Sequence, residues 1–307
     1  MKASVKALLN QIIDHAGLFP PARLPMADAL RTYLRDKESA PTAWMLGRFV
    51  CPAARLGELA AHAREYDNAA LLRLTVLGQP GAPASDVMSQ ILADIRAIDE
   101  FRTGWTNGPL IDTYEVALPA YQALERSTVQ TVQALLADAG LDGFLEIPRT
   151  PGWQSGFQTT CRALAGSQLG LKLRTGGLGA DAFPDESAVA YFIHQCQLAR
   201  VPWKATAGLH HPRRHWDQSL QVWHHGFLNV FGAGLLAAVH PLTQEDIAAI
   251  LSDREARYFR FDDDGFAWKH WTCPTARIEN LRTTSATTFG SCSFEEPCAD
   301  LRAMGLL

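Results

Sequence analysis

The stretch LGLKLRTGGLGADAFPDESAVAYFIHQCQLARVPWKATAG (169–208) decides how the chain is read. Its two ends, LGLKLRTGG (169–177) and VPWKATAG (201–208), are short apolar or β-branched runs, each interrupted by a lysine. Between them ESAVAYFIHQCQLAR carries apolar residues at helical spacing. Strand, helix and strand in that order make a parallel unit with a helical crossover. The alternation continues in both directions. Further strands are expected at QIIDHA (11–16), WMLGRFVC (44–51), LLRLTVLG (71–78), IDTYEVAL (111–118), GFLEIP (143–148) and FLNVFGA (227–233). Helices are expected at MADALRTYLRD, AARLGELAAHAREY, ASDVMSQILADIRAIDEF, STVQTVQALLADAG and SGFQTTCRALAG. About eight such units predict an α/β fold, a closed (β/α)8 TIM barrel over residues 1–240, because an open sheet usually has fewer strands.

Residues 241–307 break the rhythm. They hold a capped helix (LTQEDIAAILSD), a hairpin-like RYFRFDDDGFAWK, a polar run TTSATTFGSCSF and a last helix in SFEEPCADLRAMGLL. In that helix Ser293 and Glu296 are spaced as a capping box. The expectation is a C-terminal α+β extension packing on the barrel.

The 307 residues are 47% apolar and 20% charged, an ordinary globular composition. A net charge of −4 and basic pairs as short as Arg213–Arg214 give no footprint for a nucleic-acid partner. GFLNVFGAGLLAAV (226–239) is too short and glycine-rich for a membrane span. The start has no charged and apolar leader pattern, so a soluble cytoplasmic protein is expected. Six scattered cysteines, without a CxxC, suggest neither a disulfide framework nor a cysteine zinc site. Self-association is compatible with the sequence, with no particular state specified.

The polar residues inside the strands carry the chemistry. A charge facing a barrel interior is costly unless paired, and active sites form at the C-terminal strand ends. Residues two apart share a face, so Lys172 points with Arg174 and Lys204 with Thr206. Glu115, Glu146 and Asp14 interrupt three other strands. A lysine attacks carbonyls only when partly neutral, which burial and a neighbouring cation promote, and a carboxylate can move protons for it. Thr175, Gly176, Gly177 and Gly208 follow the lysines, and such glycines let backbone N–H groups approach an anion. The plainer alternative makes each lysine a salt-bridge partner, Asp14 a loop cap and Glu146 structural. His210, His211, His215, His224 and His225 cluster without HExxH or HxH spacing. A loop histidine touching substrate, His210, is the expectation over a metal, and no cofactor is implied.

LKLRTGG followed by WKATAG resembles the two lysine strands of the deoxyribose-phosphate aldolases, which typically read KTSTG and KASGG. QIIDHAGLFPPA, FVCPAARL, LRLTVLGQPGA, DTYEVALP and FLNVFGAGLLA are similar, in order, to other strands of that family over about residues 8–240. The resemblance implies a (β/α)8 barrel and a metal-independent class I aldolase of carbohydrate metabolism, joining acetaldehyde to a phosphorylated aldehyde. It implies that Lys172 forms the Schiff base, that Lys204 tunes it with Asp14 as partner, and that Glu115 stands for the proton-relay aspartate. Gly232 falls in the segment likened to the last strand, which in the family reads RFGAS. Departures are the longer Glu115, Arg174 in place of a small residue, and Gly234–Leu235 where the family has serines near the substrate phosphate. KLRTGG, KATAGLHHP and FGSCSFEEP also resemble a bacterial set of sequences, which implies no activity. The expected function is therefore lysine-imine lyase chemistry on a small anionic, phosphorylated carbonyl compound. The rivals are a metal-dependent isomerase or hydrolase using the histidines of 210–225, and a barrel that binds an anionic metabolite without turnover.

Overall fold

The computed structural model describes residues 1–78, 87–118 and 123–307. QPGA (79–82), the start of the ASDVMSQ helix (84–86) and Pro119 lie outside the described residues. Seven strands follow one another as expected: β1 (Ile13–His15), β2 (Leu46–Pro52), β3 (Arg73–Leu77), β4 (Leu110–Ala117), β5 (Asp142–Glu146), β6 (Gly170–Arg174) and β7 (Trp203–Thr206). A hairpin comes next, β8 (His215–Asp217) with β9 (Val222–His224), then an antiparallel sheet of β10 (Phe259–Phe261), β11 (Gly265–Trp268) and β12 (Trp271–Pro274). Last, β13 (Ala286–Ser291) enters between β7 and β1 and closes an all-parallel barrel of eight strands.

The helices are α1 (Ala3–Leu9), α2 (Met26–Ser39), α3 (Leu56–Ala63), α4 (Val87–Thr103), α5 (Arg126–Asp138), α6 (Trp153–Leu164), α7 (Glu186–Ala199), α8 (Phe227–Val239), α9 (Gln244–Ser252), α10 (Thr275–Thr284) and α11 (Glu295–Ala303). From α2 to α7 each is the crossover after one strand, as a parallel sheet requires. None of the described helices is long and apolar enough to cross a membrane.

The eighth strand corrects the sequence reading. FLNVFGA (227–233) is not a strand but the first half of α8, whose residues Phe227 to Ala237 are all buried. A mostly apolar run covered on every side reads alike as a buried strand or a buried helix, and its length of 13 residues favours the helix. Gly232 therefore sits in a helix core, where an added Cβ would lie 2.8 Å from the Phe266 ring, and not at the barrel mouth. The barrel does not end at residue 240. Residues 241–285 are an insertion ahead of the final strand, and that strand lies within TTSATTFGSCSF, the run that reads as polar.

The other readings of this region are met. RYFRFDDDGFAWK forms the β10–β11 hairpin, and α9 opens with a capping box in which Thr243 and Asp246 bond each other's backbone N–H. Arg282 of α10 is buried and donates to the carbonyls of Leu8, Asn10 and Ala286, tying α1 to the start of β13.

The outward side of the closing strand packs as a core. Phe289, fully buried, stacks on Phe227 with centroids 5.2 Å apart and meets Phe231 at 5.7 Å. Trp203 on β7 meets Phe231 at 5.4 Å, so α8 is clamped on β7 and β13 together. Phe289→Ala is expected to cost about 3–5 kcal/mol in chemical denaturation. A chain ended at residue 240 lacks β13 and leaves β1 and β7 as open edges. It is expected in the insoluble fraction on expression, whereas a self-sufficient barrel over 1–240 would be recovered soluble with a cooperative unfolding transition.

Candidate active site

The charged residues of the strands meet inside the barrel, towards its C-terminal end. Register places Lys172 directly beside Glu146 on one neighbour and Lys204 on the other. Lys172 Nζ lies 2.7 Å from Glu115 Oε2 and 2.9 Å from Glu146 Oε2. Lys204 Nζ donates to Asp14 Oδ2 at 2.8 Å and touches Glu115 Oε1 at 2.5 Å. That last contact is an ion contact without hydrogen-bond geometry. Glu115 thus gives one oxygen to each lysine. All five groups are buried, Asp14 completely. Lys204 Nζ also lies 5.5 Å from the centroid of the Phe144 ring.

Asp14 is fixed by parts of the chain that carry no charge. Arg48 N–H donates to Oδ1 at 2.9 Å, and Thr288 Oγ1 donates to Oδ2 at 2.7 Å. Gly47 makes room, since a Cβ there would lie 2.5 Å from Oδ1.

Burial alone would favour neutral forms, yet the pairing wins. For Lys172, desolvation pulls the pKa down, but Glu115 and Glu146 outweigh it and raise it above the ordinary lysine value. For Glu115, burial pushes up and the two ammoniums outweigh it, holding the carboxyl at about 2. Burial likewise pushes Glu146 up, and Lys172 and Arg174 bring it below the usual carboxylate range. The expectation that burial and a second lysine leave Lys172 partly neutral is overturned for this resting state, because two carboxylates stand in contact with it.

Above this floor opens a cavity of about 1050 Å³. Its wall includes Lys172, Lys204, Glu115, Arg174, Gly177, Thr206, Gly208 and His210. Arg174, with its side chain half exposed, binds Glu146 Oε1 through Nε at 2.7 Å. Glu146 bridges Arg174 and Lys172.

Thr175 and Gly176 have a packing role. The buried Thr175 hydroxyl donates to Thr206 O and Ala207 O. A Cβ on Gly176 would lie 2.9 Å from Gly208 Cα, and Gly208 has φ +76°, so the exits of β6 and β7 touch backbone to backbone.

The histidines part company. His210 Nδ1 is 2.7 Å from Glu296, His211 Nδ1 is 2.6 Å from Asp300, and His225 Nε2 is 2.8 Å from Pro184 O. His215 and His224 face each other across the β8–β9 hairpin. Among the described residues, no three His, Cys, Asp or Glu side chains are grouped as a metal ion would need. The capping box at 293–296 is half present. Ser293 Oγ accepts from Glu296 N–H at 3.2 Å, while the Glu296 carboxylate turns to His210.

Gly47, Thr288 and Cys292 are the site residues the sequence reading missed. Thr288 and Gly290 alternate along ATTFGS, and that period of two was the available signal.

Glu115 links this geometry to acid stability. A carboxylate held at about 2 against an ordinary 4.5 contributes stability that is full above 4.5 and fades as the pH falls towards 2. Glu115→Gln is expected to lose about 3 kcal/mol or more at neutral pH, because it uncovers buried ammonium charge. Its urea midpoint should also depend less on pH over that acid range than the wild type's. No protein-family model matches the chain, and no curated protein shows significant sequence similarity to it.

Proposed function

We propose that the protein is a class I, aldolase-like carbon–carbon lyase that binds a small anionic aldehyde or keto compound as an imine on Lys172. The observation that carries this reading is the pair of buried lysines on adjacent strands, joined by one carboxylate at the floor of an open cavity. Two lysines and three carboxylates are a costly way to stabilise a barrel, since apolar residues of equal volume would serve as well or better.

The chemistry follows from the contacts. Lys172 gives a proton to Glu115 or Glu146, each in direct contact with it, and its free amine adds to the carbonyl carbon. The oxygen leaves as water, with protons returned through Glu115 and Lys204. In the cleavage direction the hydroxyl on the β carbon gives its proton to the relay and the bond between the α and β carbons breaks, releasing the β carbon as an aldehyde. The bond's electron pair moves to the iminium nitrogen, and the resulting enamine is protonated before hydrolysis. Lys204, fixed by Asp14, and Glu115 form the relay. Arg174 on the cavity wall offers a planar donor fork to a phosphate or carboxylate. Because Lys172 rests charged, imine formation is expected to speed up as the pH rises towards the lysine range.

Borohydride added in the presence of a panel of aldehydes, keto acids and sugar phosphates should leave one stable adduct, mapped to Lys172 and absent from Lys172→Met. Lys204→Met should slow its formation about 100-fold or more while leaving the fold intact by circular dichroism. The complete ion pairing at rest favours one rival, a barrel that binds an anion without turnover. That reading gains if ligands raise the melting temperature of Lys172→Met and no compound is ever trapped.

A further inference from the structure

A second group of reactive side chains stands at the rim of the same cavity. Cys292 Sγ lies 3.7 Å from His210 Nε2, and His210 Nδ1 lies 2.7 Å from Glu296 Oε2. A thiol, an imidazole bonded through one nitrogen to it and through the other to a carboxylate is the layout of an activated nucleophile. The three come from neighbouring pieces of the fold: the end of β13, the loop after β7 and the first turn of α11. All three line the cavity. The other five cysteines are buried, whereas Cys292 is partly exposed.

Position separates this thiol from the lysines. Cys292 follows the last residue of β13, Ser291, in the cavity wall, while Thr288 and Gly290 share one face of that strand and Thr288 touches Asp14 at the floor. Cys292 is four residues farther along, roughly 13 Å at 3.3 Å per residue. It lines the same cavity as Lys172, at a distance from it. Burial lowers the His210 pKa, but its contacts with Cys292 and Glu296 prevail and raise it to about 9, so the imidazole holds a proton at neutral pH.

We propose that Cys292, with His210 and Glu296, is a reversible covalent site for the aldehyde that the cavity handles. The thiol's proton passes to His210 Nε2, and the sulfur adds to the carbonyl carbon and forms a C–S bond. The carbon–oxygen π pair moves to oxygen, which takes the proton from His210 Nε2, giving a thiohemiacetal. The reverse steps release the aldehyde, and no oxidant or reductant takes part. Glu296 positions the ring. The choice of an aldehyde rests on the imine reading above; the activation of the thiol does not.

The test uses the full chain. Iodoacetamide followed by intact mass and peptide mapping should give a single label on Cys292, at a rate that changes only a few-fold between about pH 6 and about pH 9. In His210→Gln the rate near pH 6 should fall about 10-fold or more and recover towards alkaline pH, with Glu296→Gln between the two. Equal rates in wild type and His210→Gln across that range would overturn the proposal. Acetaldehyde isotopically labelled at its carbonyl carbon should slow the alkylation and show a thiohemiacetal resonance. That resonance should persist in Lys172→Met and vanish in Cys292→Ser. Its absence from both wild type and Lys172→Met would equally overturn the proposal. A Cys292 adduct without any borohydride-trapped Lys172 adduct would remove the imine reading and leave this one standing.

Discussion

Two ammonium groups on neighbouring strands can be kept out of water in one barrel only if the charge between and around them is fully answered. Glu115 does this by turning one oxygen to Lys172 and the other to Lys204, with Glu146 and Asp14 at the outer ends. The whole row runs across strands β6, β7, β4, β5 and β1, so each member depends on the barrel being closed. An isolated buried ammonium would be penalised by several kcal/mol. The demand extends to uncharged parts: Gly47 is small because Asp14 fills its place, and Thr288 is polar because Asp14 needs a donor.

Much of this was legible in the sequence. Seven strands announce themselves as short apolar runs with helical stretches between, and the lysines stand out because nothing else polar interrupts LGLKL or VPWKA. The eighth strand is hidden by its own function. Its inner face carries Thr288 and Gly290 at the site, so ATTFGS looks like a polar loop, while the apolar helix ahead of it imitates a strand. The insertion of residues 241–285 removes the rhythm that would have corrected the mistake.

Within the site, residue types were legible and partnerships were not. Alternation placed Lys172 with Arg174 and Lys204 with Thr206, but it could not say that Glu146 would lie between Lys172 and Arg174. Nor could it say whether carboxylates or a second cation would decide the charge of Lys172, because that rests on contacts between five strands. The glycines after the lysines suggested an anion cradle, and the close approach of Gly176 and Gly208, where two loops touch, was not readable from them. His210 was singled out as a contact to substrate, while its neighbours Cys292 and Glu296 lie more than eighty positions along the chain and share no pattern with it.

The late position of the closing strand has a consequence for synthesis. Ile13 of β1 pairs with Phe289, so the seam joins segments about as far apart as this chain permits. Once β7 has been made, about eighty more residues must follow before β13 exists. At 5–20 residues per second that is roughly 4–16 s during which the nascent chain holds seven strands and two unpaired edges. Over the same interval Lys204 has no Thr288-braced Asp14 to meet. Completion of the charged floor and completion of the barrel are thus one event, late in the life of the growing chain, and helix α8 is made in time to lie against β7 while its edge waits.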